Sequence, residues 1–326
     1  MGGILMTDDT VGRVLGTART DAERAVEKAL GAITAWSGRH IRYAPVSGGL
    51  QNSNWCLTVE GAPSRYFMKI PGAGSEAFID REVANQAARL ADSLGIGPGM
   101  VLFDAVSGVE VVEFLEDYRA CTTGDLKQPE LAHQVIALYR TLHSGERLPL
   151  TKTVFDMIDE HLDQVRELGA ALPADTDPIL AEYAAARSAL EATGMDLVPC
   201  HNDSKPGNFL IGTGGDALPM KMIDFEFASN NDRAYDLAVL VTEMFFGERQ
   251  TLELVEAYYG CATRPLTARV QLFIALADLK WGLWGCLQSR LNPGWDFDYR
   301  KYGLWKLMRC RMKIADHRWA AWLEAA

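Results

Sequence analysis

The tightest constraint in this sequence is a pair of linked polar spacings. Asp203 and Asn208 stand in a D-x-x-x-x-N spacing within Cys200-His201-Asn202-Asp203-Ser204-Lys205-Pro206-Gly207-Asn208-Phe209-Leu210. Asp224 follows an apolar, strand-like run in Met222-Ile223-Asp224-Phe225-Glu226. A short loop can aim Asp203 in one direction and turn Asn208 in another, with Pro206-Gly207 supplying the sharp turn between them. Asp224, on the next hairpin, adds a carboxylate to the amide oxygen of Asn208, and Mg²⁺ prefers hard oxygen ligands of this kind. An ordinary surface loop would have to acquire both spacings by accident.

The pattern resembles the catalytic and metal-binding loops of protein kinases, H-R-D-x-x-x-x-N followed by D-F-G, with Asn202 in place of the Arg and Glu226 in place of the Gly. His201-Asn202-Asp203 with Asn208, then Ile223-Asp224-Phe225-Glu226, resembles the aminoglycoside phosphotransferase and choline/ethanolamine kinase superfamily. Asn231-Asp232-Arg233-Ala234-Tyr235-Asp236-Leu237-Ala238 is similar to the N-x-R-x-x-D stretch of the choline kinase branch. The resemblance extends from about residue 40 to about residue 305.

It implies a bilobal, protein-kinase-like α+β fold. Residues 1–115 would form an antiparallel β-sheet N-lobe and 116–326 a mainly helical C-lobe, with ATP between them. It implies ATP- and Mg²⁺-dependent phosphorylation of a small amino alcohol, choline foremost. Asp203 would orient the substrate hydroxyl and accept its proton, while Asn208 and Asp224 hold the metal. Asp236 would brace the catalytic loop through backbone N–H groups.

The N-terminal third reads accordingly. Residues 20–37 have the spacing of an amphipathic helix, with Thr20 and Glu23 in a capping-box pattern. A strand at 40–46 and another at 50–60 flank Ser47-Gly48-Gly49, a turn able to bring N–H groups to phosphate oxygens, with Asn52 adding polar contacts. A plain β-turn is equally compatible with that turn taken alone. No G-x-x-x-x-G-K-[ST] is present, which excludes a P-loop enzyme. Lys69, in the third strand at 65–70, lies among apolar residues, where a lone cation needs a partner. The resemblance assigns it to the phosphates of ATP. Its partner would be Glu82 on a helix at 75–94, with Glu76 as the alternative. Strands at 100–103 and 109–114 lead to Glu113-Phe114-Leu115, the expected hinge, where backbone at Glu113 and Leu115 would meet the adenine edge.

The C-terminal third is rich in aromatics. Lys280-Trp281-Gly282-Leu283-Trp284-Gly285 places two tryptophans at i and i+3 on one helix face, and Phe297 and Tyr302 follow a Pro293-Gly294 turn. Choline kinases show this arrangement around the quaternary ammonium, and Glu243 falls where that branch carries a pocket glutamate. Aromatic faces suit a trimethylammonium group, which has no N–H to donate. Core packing is the competing reading of the same tryptophans. The branch often carries a further aromatic after the glutamate helix, where this chain has Gly247-Glu248.

Bulk properties narrow the alternatives. A chain of 326 residues, 48% hydrophobic and 23% charged, suits a globular protein of one or two lobes. A net charge of −11 disfavours nucleic acid and anionic membranes as partners and is compatible with a cationic substrate. Six scattered cysteines without a C-x-x-C pair argue against a zinc site and fit a reduced, cytoplasmic compartment. A small cationic alcohol is thus the expected partner, with a homodimer compatible. Ethanolamine, thiamine and aminoglycosides remain alternative substrates, and a catalytically silent nucleotide- or choline-binding module is the alternative from another class.

Overall fold

The computed structural model describes residues 12–47, 52–72, 79–214, 218–294 and 297–326. The chain divides into two compact units, Met1–Asp125 with Pro206–Phe227, and Leu126–Lys205 with Ala228–Ala326. This division differs from the expected one at residue 115 in two ways. The first unit runs on to Asp125, and it takes back the segment that carries Asn208 and Asp224. Backbone pairing supplies the cause. Strand β7 (Tyr118–Ala120) pairs antiparallel with β9 (Phe209–Gly212), which pairs in turn with β10 (Lys221–Met222).

The rest of the first unit is a six-stranded antiparallel sheet in the order β1-β2-β3-β4-β6-β5. Its strands are β1 (Arg13–Val14), β2 (Ile41–Pro45), β3 (Asn52–Val59), β4 (Tyr66–Pro71), β5 (Met100–Phe103) and β6 (Glu110–Glu113). Alternation sets the faces: in β2, Ile41 and Tyr43 are buried while Arg42 between them is exposed. That inner face packs with Val26 and Leu30 of helix α1 (Asp21–Gly31) and with Trp55, Leu57, Met68 and Val111. The Thr20/Glu23 capping box at the start of α1 is present as the sequence predicts. Helix α2 (Arg81–Ser93) is capped by Asp80 and buries Val83, Ala87 and Ala91. The earlier part of the expected 75–94 helix, including Glu76, falls largely outside the described residues.

The second unit is mainly helical. Helix α3 (Thr123–Leu126) straddles the boundary in sequence. Helices α4 (Pro129–His143), α5 (Val154–Leu168) and α6 (Thr176–Ala192) precede a two-stranded antiparallel ladder of β8 (Leu197–Cys200) and β11 (Ser229–Asp232). Helices α7 (Arg233–Met244), α8 (Glu248–Tyr259), α9 (Arg264–Leu291), α10 (Tyr299–Ile314) and α11 (Trp319–Ala325) complete it. Helix α9 is long and apolar enough to span a membrane, and its apolar stretch is wholly buried inside the unit as a core helix. The glycines of the Trp-rich motif set how closely α10 approaches α9. A Cβ on Gly285 would lie 2.7 Å from the Cα of Gly303, and one on Gly303 would lie 2.7 Å from the backbone nitrogen of Cys286. Only hydrogen fits at such a crossing.

Candidate active site

The catalytic loop is built from the β8–β11 ladder outward. Strand β11 reads Ser-Asn-Asn-Asp, a composition of turns, yet all four residues are buried. Each polar side chain has work to do. Ser229 Oγ donates to the Lys152 carbonyl, and Asn230 brackets the backbone of Leu148 through both its amide oxygen and nitrogen. Asn231 Nδ2 donates to the side-chain oxygen of Asn202 at 3.0 Å, and Asn202 Nδ2 donates to Ser229 Oγ at 2.8 Å. Asp232 caps α7 through Ala234 N–H and also accepts from Arg269.

These bonds hold Asn202 at φ 65°, a left-handed conformation that asparagine tolerates better than arginine. Asp236 finishes the turn. Its carboxylate, wholly buried, accepts from the His201 N–H at 2.8 Å and the Asn202 N–H at 2.7 Å. It also meets His143 Nε2 at 3.0 Å, while His143 Nδ1 meets the Tyr258 hydroxyl at 2.7 Å. Burial pushes the Asp236 carboxyl up, but His143 and the His201 N–H outweigh it and hold the group below its ordinary range. Asp203, mostly buried beyond this brace, meets Lys205 Nζ at 3.0 Å.

The first unit carries the second cluster. The Ile223 N–H donates to the Asn208 carbonyl at 2.9 Å, so the backbones leading to the two expected metal ligands adjoin. Asp224 follows at φ 69°, again left-handed. Lys69 Nζ lies 3.2 Å from Glu226, 3.6 Å from Asp224 and 3.9 Å from Glu110. Burial alone lowers the pKa of an ammonium, yet these three carboxylates outweigh it and raise that of Lys69. Asn52 Nδ2 donates to Glu226 at 2.6 Å. At the expected hinge, the N–H groups of Glu113 and Phe114 are taken by the carbonyls of Gly99 and Arg65. Among the described residues the Leu115 N–H has no backbone acceptor.

In the second unit, α9 and α10 bring four of the expected substrate residues together. Trp284 is edge-on to Trp281 at 5.4 Å and to Tyr302 at 6.0 Å, and Phe297 lies 6.0 Å from Tyr302. Tyr299, which sequence reading did not single out, joins them 5.6 Å from Trp284 and 4.9 Å from Phe297. Both tryptophans are buried. Two lysines are built into the same region. Lys280 Nζ lies 3.1 Å from the centroid of the Trp281 ring, and burial pushes its amine down to about 7. Lys306 Nζ lies 2.5 Å from Glu243, 3.3 Å from Asp278 and 5.7 Å from the centroid of the Tyr302 ring.

Comparison with known proteins now bears on this geometry. The family model for choline/ethanolamine kinases matches residues 43–259, two thirds of the chain. The chain belongs to the choline/ethanolamine kinase family. It is 24% identical over 317 residues to probable choline kinase 2 of Arabidopsis thaliana, covering 86% of this chain and 89% of that protein. A solved choline/ethanolamine kinase family protein from Mesorhizobium loti matches with a TM-score of 0.77 at 30% identity, over 93% of this chain and 98% of that one. Aminoglycoside 2'-phosphotransferase-IIIa matches with a TM-score of 0.63 at 16% identity, over 89% and 96%, a likeness of fold. The fold is thus the protein-kinase-like one, and the enzyme is a phosphotransferase with an alcohol acceptor, a kinase acting on choline or ethanolamine.

The expected pairing of Lys69 with Glu82 is not formed. Glu82 is exposed in the first turn of α2 and is not among the carboxylates that face Lys69. Its N–H is spent on the Asp80 cap, which fixes that turn at the helix start. Glu226, at the D-F-G glycine position, and Glu110, across the β4–β6 pairing from Lys69, stand there instead. Ser47 is exposed, and Gly48 lies outside the described residues. Lys205, Lys280 and Lys306 were missed, although a lysine in an apolar run was the signal that picked out Lys69, and Lys280 shares it.

Proposed function

We propose that the enzyme transfers the γ-phosphoryl group of ATP to choline with Mg²⁺, giving phosphocholine and ADP. The observation that carries the choice of alcohol is the ring cluster of Trp284, Phe297, Tyr299 and Tyr302. Aromatic rings exclude water, and their faces attract a cation without needing hydrogen bonds from it. A quaternary ammonium has none to offer, whereas a primary ammonium brings three N–H donors that rings satisfy poorly.

The donor set suits the metal. Asn208 offers an amide oxygen and Asp224 a carboxylate, both hard ligands, and the Ile223–Asn208 backbone bond ties their strands together. When bound, the ion neutralises charge on the phosphates. The chain's own groups do the rest. Lys69, kept protonated by Glu226, Glu110 and Asp224, is the cation for the nucleotide phosphates. The Leu115 N–H, just past β6, is the backbone donor available for the adenine edge. Asp203 accepts the hydroxyl proton of the alcohol, whose oxygen bonds to the γ-phosphorus as the bond to the β-phosphate oxygen breaks. Asp236, His143, Asn231 and Asn202 hold the backbone from which Asp203 projects.

A panel of choline, ethanolamine, thiamine and an aminoglycoside with ATP and Mg²⁺, read by ³¹P NMR of the product, tests this reading. Choline should give phosphocholine with the highest kcat/KM. A better substrate among the others, or no phosphorylated product from choline, overturns it.

A further inference from the structure

Glu243 is the pocket residue whose carboxylate would meet a substrate ammonium, and it already has a partner on this chain. Lys306 Nζ lies 2.5 Å from it. Lys306 is 1% exposed, and its other contact is Asp278 at 3.3 Å, itself paired with Arg309 at 3.2 Å. The four groups are two acids and two bases, so their formal charges cancel toward a bound cation. Lys306 cannot swing into water to release Glu243 without abandoning a second buried carboxylate, which is costly. The same lysine sits beside Tyr302, one of the rings of the proposed substrate site.

From this arrangement we infer that Lys306 is a specificity-determining residue: by engaging Glu243 Oε1 and offsetting its charge it weakens the charge-assisted hydrogen bond that this carboxylate could give a primary ammonium, and so selects quaternary over primary alkanolammonium alcohols. The inference rests on the reading of the α9–α10 rings as the substrate site. A trimethylammonium group loses no hydrogen bond when Glu243 is occupied, because it has no N–H to give. Ethanolamine loses, in addition, much of the charge assistance in a hydrogen bond to that carboxylate.

The test compares KM and kcat for choline and ethanolamine in wild type, Lys306→Met and the double variant Lys306→Met/Glu243→Gln, with thermal melts on each. Wild-type turnover of choline checks the underlying reading first, since a protein inactive on both alcohols fails there. In an active enzyme the wild type should prefer choline. Lys306→Met should lower the ethanolamine KM by ~10-fold relative to that of choline, the value of about one charged hydrogen bond. The gain should vanish when Glu243→Gln is added. A wild type that prefers ethanolamine, a folded Lys306→Met with unchanged preference, or a gain that survives in the double variant overturns the inference. If melts show Lys306→Met unfolded, Glu243→Gln alone decides. Equal changes in both KM values support an occupied carboxylate, and a loss confined to ethanolamine refutes it.

Discussion

Asp236→Asn removes one charge and changes no shape, so it isolates what the brace beneath the catalytic loop contributes. The carboxylate accepts three hydrogen bonds, from His201 N–H, Asn202 N–H and His143. An asparagine can keep its oxygen toward His201 and His143, but its NH₂ then faces the Asn202 N–H, leaving a buried donor against a donor. That costs ~1–3 kcal/mol, and the two surviving bonds each lose ~1 kcal/mol of charge assistance. The expected loss is therefore ~3–5 kcal/mol, a large fraction of the ~5–15 kcal/mol typical of folded proteins. Asn202, held at φ 65° by this contact, would relax toward an ordinary conformation and carry Asp203 with it. Turnover should drop by ~10²-fold, the scale of an ångström-sized misplacement. The pH dependence has a definite sign. Because the folded state holds the Asp236 carboxyl below its ordinary range, its contribution is present above the unfolded value of ~3.9 and fades as pH falls through the folded one. Denaturant melts of both proteins should therefore differ most at neutral pH and converge in acid. A variant with wild-type stability and turnover at pH 7 would refute the account of the brace.

Four further outcomes follow from the same geometry. Asp203→Asn should fold normally, keep its ATP affinity and lose ~10²-fold or more in kcat, measured by coupled ADP release. Asp224→Ala should abolish Mg²⁺-dependent turnover, checked by titrating the metal, because Asn208 is a neutral ligand and cannot offset the charge of the ion alone. Trp284→Ala should raise the KM for choline more than that for ATP, and, being buried among three rings, should also cost ~3–5 kcal/mol of stability in thermal melts. Gly303→Ala should cost ~1–3 kcal/mol or more, since its Cβ meets α9 backbone at 2.7 Å, and should weaken choline binding as α10 is pushed away.

What the sequence made legible and what it hid divide along one physical line. The catalytic loop could be read because its chemistry is local: Asp203, Asn208 and Pro206-Gly207 act through spacing alone. The capping box at Thr20 and Glu23 is local too, as is the alternation of β2. Partners chosen by the tertiary fold were not legible. Lys69 announced that it needed a carboxylate, but which one is decided by the β4–β6 register and by where the Asp224 turn aims Glu226, not by distance along α2. Strand β7 was missed because three residues, Tyr118–Ala120, carry no period, and its identity comes from pairing with β9. Strand β11 shows the limit most sharply. Ser-Asn-Asn-Asp has the composition of a solvent-exposed turn, and only burial turns it into a strand whose side chains each replace a water that would otherwise be needed. The ring cluster was visible as Trp, Trp, Phe and Tyr, while the lysines beside it were not, because their meaning depends on a charge that arrives from another helix. Glu243 lies on α7 and Lys306 on α10, 63 residues apart in sequence, so neither segment read alone shows that the two are paired.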